Sequence, residues 1–243
     1  MKKIVTLLFA IIAFSSCNKE EENGMATILF THNWDGVSIT NQDFSEFKFT
    51  NANGEKVSIE KYRYLISNIN LVGSKNYFLV DLNDNSGTNI TITDLVKGTN
   101  NLKFTFGFKD EDNSDGVYQD LNSASFNVPA MLGGGYHYMQ FDGKYKDTNN
   151  ADANFNYHAI RAVDRTDPNN LIFQDTSFDV DLGIVQIGNN TIIEIKVNLA
   201  EWFKNPNTWS LNELNTVLMP NFDAQILMNA NGKSVFSLGE VTQ

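Results

Sequence analysis

The run Ile28-Leu29-Phe30-Thr31-His32-Asn33-Trp34 alternates Ile28, Phe30, His32 and Trp34 with Leu29, Thr31 and Asn33. A period of two buries one face of a strand and turns the other away, because successive side chains point to opposite sides of the backbone. The same reading extends outward. Phe47 and Phe49 alternate with Glu46 and Lys48, and the turn Asn51-Ala52-Asn53-Gly54 leads into Val57 and Ile59, which predicts a hairpin. Tyr62 to Leu71 is apolar and rich in strand formers, and Gly73-Ser74-Lys75-Asn76 turns it into Tyr77-Phe78-Leu79-Val80. Further strands are expected over 89–93, 102–108, 136–141, 153–163, 177–182 and 191–199. Short strands at this spacing, punctuated by Asn, Gly and Asp, predict an all-β fold, a two-sheet antiparallel β-sandwich.

The C-terminal part changes character. Leu199 to Lys204 predicts one or two helical turns stopped by Asn205-Pro206. Ser210-Leu211-Asn212-Glu213 has the form of a capping box opening a short helix. Asn221 to Asn231 predicts another, with Phe222, Ile226 and Ala230 on one face and Gly232 as terminator. These short C-terminal helices are expected to pack on an edge of the sandwich. The expected domain spans residues 25–243 without repeats or low-complexity blocks.

Residues 1–16 read as a signal peptide: Met1-Lys2-Lys3 is a short positive start, and Ile4 to Phe14 is an apolar run of signal length. Ser15-Ser16-Cys17 resembles a bacterial lipobox, although Phe14 stands where Leu is more usual. That resemblance implies lipid on the Cys17 thiol, cleavage before it and acylation of the new amino group, an anchor of more than one acyl chain. The competing reading is a plain signal peptide with an incidental cysteine. Residues 17–24 then form a tether, Asn18-Lys19-Glu20-Glu21-Glu22-Asn23-Gly24, which also resembles the surface-export signal of Bacteroidota lipoproteins. An outer-membrane lipoprotein is implied, at the cell surface or on the periplasmic face.

The formal net charge of −11 disfavours nucleic acid, whose phosphates need basic partners, and disfavours electrostatic adhesion to anionic lipid. The membrane is therefore reached through lipid on Cys17. Cys17 is the only cysteine, so its lipidation leaves no disulfide and no thiolate ligand. The fold must rest on its apolar core.

Catalytic motifs are missing. There is no Gly-x-Ser-x-Gly elbow and no phosphate loop, and Gly133-Gly134-Gly135 runs into a strand as a turn does. The chain is read as a non-enzyme. Asp110, Asp112 and Ser114 place alternate oxygens as a calcium loop does, but the glycine comes one place late and Leu121 stands where the closing carboxylate belongs. An irregular calcium site at Asp110 and Asp112 is weighed against a solvated acidic turn. Asp81 to Gly87 is a weaker case of the same kind.

Three histidines exist, His32, His137 and His158. By strand alternation His32 faces inward beside Trp34. Imidazole suits copper and zinc, but a core histidine satisfied by a backbone carbonyl fits the spacing as well.

Several stretches, taken in order, resemble the MbnP-like domains, copper-binding proteins named for a methanobactin-associated member. Leu29-Phe30-Thr31-His32 with Asp35-Gly36 looks like their opening strand. Tyr64-Leu65-Ile66-Ser67-Asn68-Ile69-Asn70-Leu71 resembles their Tyr-x-x-Ser-Asn-Ile-x-Leu strand, the most specific piece. Phe104 to Lys109 resembles Phe-x-Leu-Gly-Val-Asp, and Gly135 to Gly143 resembles Gly-Tyr-x-Phe-x-x-x-Glu-Gly. Phe155-Asn156-Tyr157-His158 matches Phe-x-x-His, and Asn231 to Phe236 looks like the family's end. The resemblance implies a β-sandwich binding copper through histidines and, in some members, an oxidised tryptophan. His32 and His158 occupy matching positions and become the candidate metal ligands, with Trp34 and Met131 as candidate neighbours. His137 falls on a variable position. Where the family often has Met-x-Trp-x-Trp, this chain has Ala130 and Leu132 in place of the tryptophans. A second reading follows from that departure: a surface binding or scaffold module for a protein or glycan partner, its metal site lost.

Overall fold

The computed structural model describes residues 22–243 except Ser74, Lys75 and Pro168. The signal peptide, Cys17 and the first residues of the tether lie outside the described residues, as do Ser74 and Lys75 of the expected 73–76 turn.

The described chain forms fourteen strands. The first seven are β1 (Asn23–Trp34), β2 (Val37–Ile39), β3 (Phe49–Thr50), β4 (Lys56–Ser67), β5 (Tyr77–Asp81), β6 (Asn89–Val96) and β7 (Gly98–Phe106). Helix α1 (Gln119–Ser123) interrupts them. Then come β8 (Met139–Lys146), β9 (Asp152–Ala159), β10 (Ala162–Asp164), β11 (Ile172–Gln174), β12 (Phe178–Ile187) and β13 (Thr191–Asn198), and finally α2 (Phe222–Gly232) and β14 (Phe236–Thr242). One sheet runs β14-β13-β1-β2, with β6 also paired to β1; the other runs β12-β7-β4-β8-β9, with β3 and β5 along the far side of β4. The β10–β11 hairpin stands apart. The all-β sandwich expected from the alternation is what the chain builds. One pair departs from the antiparallel pattern: β1 and β13 run parallel, with Phe30 opposite Ile195 and His32 opposite Val197.

Aromatic side chains fill the space between the sheets. Phe30 of β1 meets Tyr64 and Phe104 edge-on at 6.1 and 6.4 Å, and Phe236 of β14 reaches Tyr64, Phe104 and Phe106 at 5.4–5.8 Å. Each such ring stabilises the fold by roughly 1.5–3 kcal/mol through burial alone. With no disulfide among the described residues, this core carries the stability.

Of the C-terminal expectations, the helical turn before Asn205-Pro206 forms and the capping-box helix does not. Leu199–Phe203 forms a 3-10 turn with Leu199, Ala200, Trp202 and Phe203 all buried. The capping-box stretch does not open a helix; Trp209 and Leu211 are pulled into the core and the segment remains a turn. The last helix forms, with the Asn221 side chain accepting from Ala224 N–H as its cap, but it buries Ala224, Gln225, Met228 and Asn231 rather than the expected Phe222, Ile226 and Ala230, and Gly232 is its last residue rather than its terminator. Helix α2 also protects the open edge of β9: Gln225 Nε2 donates to His158 O at 2.9 Å and Gln225 Oε1 accepts from Ile160 N at 2.8 Å.

Candidate metal centre

The tight turn between β8 and β9 fixes their register, pairing Gln140 with His158, Phe141 with Tyr157 and Asp142 with Asn156. Alternation then sends Phe141, Tyr157 and Ala159 into the core and His158, Asp142 and Gln140 to the outer face of the sheet. His158 lies diagonal to Asp142, and its Nε2 sits 2.6 Å from Asp142 Oδ1. The same carboxylate takes Asn156 Nδ2 at 2.7 Å and Lys61 Nζ at 3.0 Å.

His137 arrives on this outer face from a different direction. Gly133, Gly134 and Gly135 all have positive φ (114°, 65° and 77°), and a Cβ on Gly135 would lie 2.6 Å from Asn113 Oδ1. That triple bend swings the chain under the segment carrying Phe126, and β8 begins only at Met139. The His137 backbone N–H and its ring Nδ1 both meet Phe126 O at 2.9 Å. A carbonyl only accepts, so Nδ1 carries the hydrogen and the lone pair is left on Nε2. Phe126 is itself held down: Arg63 stacks on its ring at 5.3 Å, and Arg63 and Gln140 both reach Ser125 O while bonding each other at 2.7 Å.

The two rings stand 5.3 Å apart, centroid to centroid, at 82°. His137 Nε2 and His158 Nδ1 are buried and have no hydrogen-bond partner. Burial, then the neighbouring His158, push His137 down to about 4, so it is neutral at physiological pH. Burial works against Asp142, but the hydrogen bonds from His158, Asn156 and Lys61 outweigh it and hold the carboxyl well below the usual range. Each imidazole therefore uses one nitrogen on a fixed acceptor, one a backbone carbonyl and the other a carboxylate. This is the support that metal-ligating histidines receive.

The sequence-predicted residues do not all gather here. His32 lies between the sheets, on the opposite face of β4 and β8 from His158, packed edge-on against Tyr62 and Tyr64 at 5.8 Å. Its Nε2 meets the Tyr64 hydroxyl at 3.2 Å rather than the backbone carbonyl expected of a core histidine. Burial pushes it down to about 3. His32 and His158 thus do not share one ion. Trp34 is a core residue too, stacked between Phe49 and Phe203 at 5.1 and 5.8 Å with Nε1–H donated to Thr50 O. Met131 is 83% exposed on the 3-10 turn Ala130–Leu132.

The calcium expectation is not supported. Asp110 faces the Arg161 guanidinium at 3.6 Å, and Asn113 turns inward to Tyr136 N and Tyr138 Oη. The weaker loop closes on itself, with Asp81 and Asp84 accepting from Asn83 N and Ser86 N. No group of three or more His, Cys, Asp and Glu side chains able to hold an ion occurs among the described residues. Within that set of side chains, the histidine pair offers two free ring nitrogens.

His137 is the site residue that the family resemblance passed over, because it falls on a variable position. The signal was in the glycines before it, which break the alternation, and in the β8–β9 turn, whose register puts Asp142 within reach of His158.

The arrangement is that of an all-β sandwich presenting an imidazole pair beneath the β7–β8 connection. The sequence model of the MbnP family matches residues 23–220, and the chain belongs to that family. Among solved structures it is similar to MbnP from Methylosinus trichosporium, with a TM-score of 0.56 and 11% identity over 90% of this chain and 99% of the other. Nothing among curated proteins matches.

Proposed function

We propose that this protein is a lipid-anchored, extracytoplasmic MbnP-family domain that holds one copper ion between His137 Nε2 and His158 Nδ1. The observation that carries the reading is the pair of buried, unpartnered ring nitrogens on adjacent imidazoles, each fixed from behind by an acceptor. Buried nitrogen acceptors normally find partners, and two left over side by side support a bound cation. Neutral imidazole suits copper, and the family resemblance favours copper over zinc. The residues present fit such an ion without the family's tryptophans, since Ala130 and Leu132 remove only the modified-tryptophan chemistry. Bound copper would supply a soft cation held for capture or delivery.

The anchor belongs to this proposal as well. Lipid on Cys17 would hold the domain at the outer membrane, at the cell surface or on the periplasmic face. Replacement of Cys17 by Ser should move the protein from the membrane to the soluble fraction, and retention in the membrane would remove the anchor from the account. Titration of the full chain in detergent with Cu(I) and Cu(II) tests the metal: a 1:1 stoichiometry lost in a His137→Ala/His158→Ala variant is expected. Equal weak binding by both proteins would sink the reading.

A second reading is favoured by two observations. The family tryptophans are replaced, and Leu171, Ile172 and Phe173 leave apolar side chains 41–57% exposed on the β10–β11 hairpin. A protein- or glycan-binding module without metal would explain both, and the same titration separates it from the first.

A further inference from the structure

We propose that Asp142 is the positioning residue of the histidine pair: it selects which nitrogen of His158 is left free and strengthens that nitrogen as a donor. This deepens the copper reading for its affinity consequence, but the positioning itself is a property of the metal-free protein.

The geometry is specific. Asp142 Oδ1 stands 2.6 Å from His158 Nε2, and the two side chains are only 18% and 15% exposed. An ionised carboxylate accepts and does not donate, so the hydrogen of a neutral His158 sits on Nε2 and the lone pair on Nδ1, the buried nitrogen without a partner. Asp142 is itself immobilised. Asn156 Nδ2 binds the oxygen that faces His158, and Lys61 Nζ binds the other. Asn156 and Lys61 lie on the two strands flanking β8, so the carboxylate is clamped across three strands of the sheet. His137 needs no such residue because Phe126 O performs the same selection from the backbone. The two imidazoles therefore share one design, with a main-chain acceptor behind one and a side-chain acceptor behind the other, and only the second can be removed by substitution.

The experiment compares wild type, Asp142→Ala and Asp142→Asn as full chains, each confirmed folded by circular dichroism and thermal melting. In the metal-free proteins at pH 8, nitrogen-15 shifts of the His158 ring report the tautomer. Wild type and Asp142→Asn, which keeps an acceptor oxygen, should show Nε2–H alone, and Asp142→Ala a mixture of both tautomers. A merely structural aspartate would leave those shifts unmoved. Copper titration should show Asp142→Ala weakened by roughly 10–100-fold, with Asp142→Asn between it and wild type. A folded Asp142→Ala protein with a single Nε2–H tautomer overturns the proposal even if copper binds at the histidines. Failure of copper to depend on His137 and His158 removes the copper reading instead, while the tautomer result still decides the role of Asp142.

Discussion

The two faces of the larger sheet treat histidine in opposite ways. On the inner face His32 is enclosed by aromatic rings, and its Nε2 is paired with the Tyr64 hydroxyl. On the outer face His137 and His158 are nearly as enclosed, yet each keeps one nitrogen with no partner and the other firmly tied. Depth of burial does not separate them, since His32 and His137 are equally inaccessible at 4% exposure. What separates them is the partner behind the ring: a hydroxyl can donate or accept and leaves the His32 tautomer open, whereas a carbonyl and a carboxylate fix the other two. His32 packs against the rings of Tyr62 and Tyr64. His137 and His158 each leave a buried ring nitrogen bare on the side away from that acceptor.

Copper binding offers the sharpest way to break the contrast. Loss of either outer imidazole should abolish tight binding. His32→Phe, if folded, should bind as wild type does. Titration of the single variants checks this, and a His32 variant that loses copper while keeping its melting temperature would erase the distinction between the faces.

Stability should respond in the reverse sense. Trp34 lies on the His32 side, wedged between Phe49 and Phe203, with its indole N–H satisfied. Trp34→Ala should cost about 3–5 kcal/mol in chemical denaturation, from lost burial and the cavity left behind. Copper affinity in whatever fraction stays folded should be unchanged. A Trp34 substitution that spared stability but weakened copper would return this tryptophan to the metal site.

Acid titration probes the inner histidine alone when metal-free variants lacking the outer pair are used. The folded value of His32 is pushed down to about 3 from an ordinary 6.5, so the unfolded chain takes up the proton first. The stability that neutral His32 contributes is complete above pH 6.5 and is lost as pH falls toward 3. Between pH 6.5 and 4.5 the loss should be about 2–3 kcal/mol. Denaturation midpoints in His137→Ala/His158→Ala with and without His32→Phe measure it. Parallel pH profiles in the two would mean that His32 is not held neutral.

This contrast also marks how far the residues could be read unaided. The inward set Ile28, Phe30, His32 and Trp34 was legible because alternation needs only local backbone geometry, and so was the hairpin at Asn51–Gly54. The parallel pairing of β1 with β13 was not, since nothing local records which distant strand completes a sheet. His158 was reached through family resemblance, and its outward direction follows from Phe155 and Tyr157 being core residues on the same strand. The pairing of His158 with His137 depends on three consecutive glycines at positive φ and on Phe126 returning over the sheet. Both are tertiary facts. The strand expected over 136–141 begins only at Met139, so alternation gives no direction for the residues before it.

The smallest effect tests how far the outer site extends. Met131 sits where the family keeps its tryptophan-bearing stretch, and a thioether would be a soft third ligand for copper. At 83% exposure on the Ala130–Leu132 turn its sulfur faces water, and drawing it onto the histidine pair would require that turn to move. The turn is restrained by Arg165, whose Nη2 donates to Leu132 O at 2.6 Å, and by Arg161, whose Nη2 donates to Gly133 O at 3.0 Å. Met131→Ala should therefore change stability by no more than about 0.5 kcal/mol, as surface substitutions do, and leave copper affinity as it is. A clear loss of affinity would show that the turn closes over the ion when it binds, and that the outer face is completed by the segment in which this chain has given up its tryptophans.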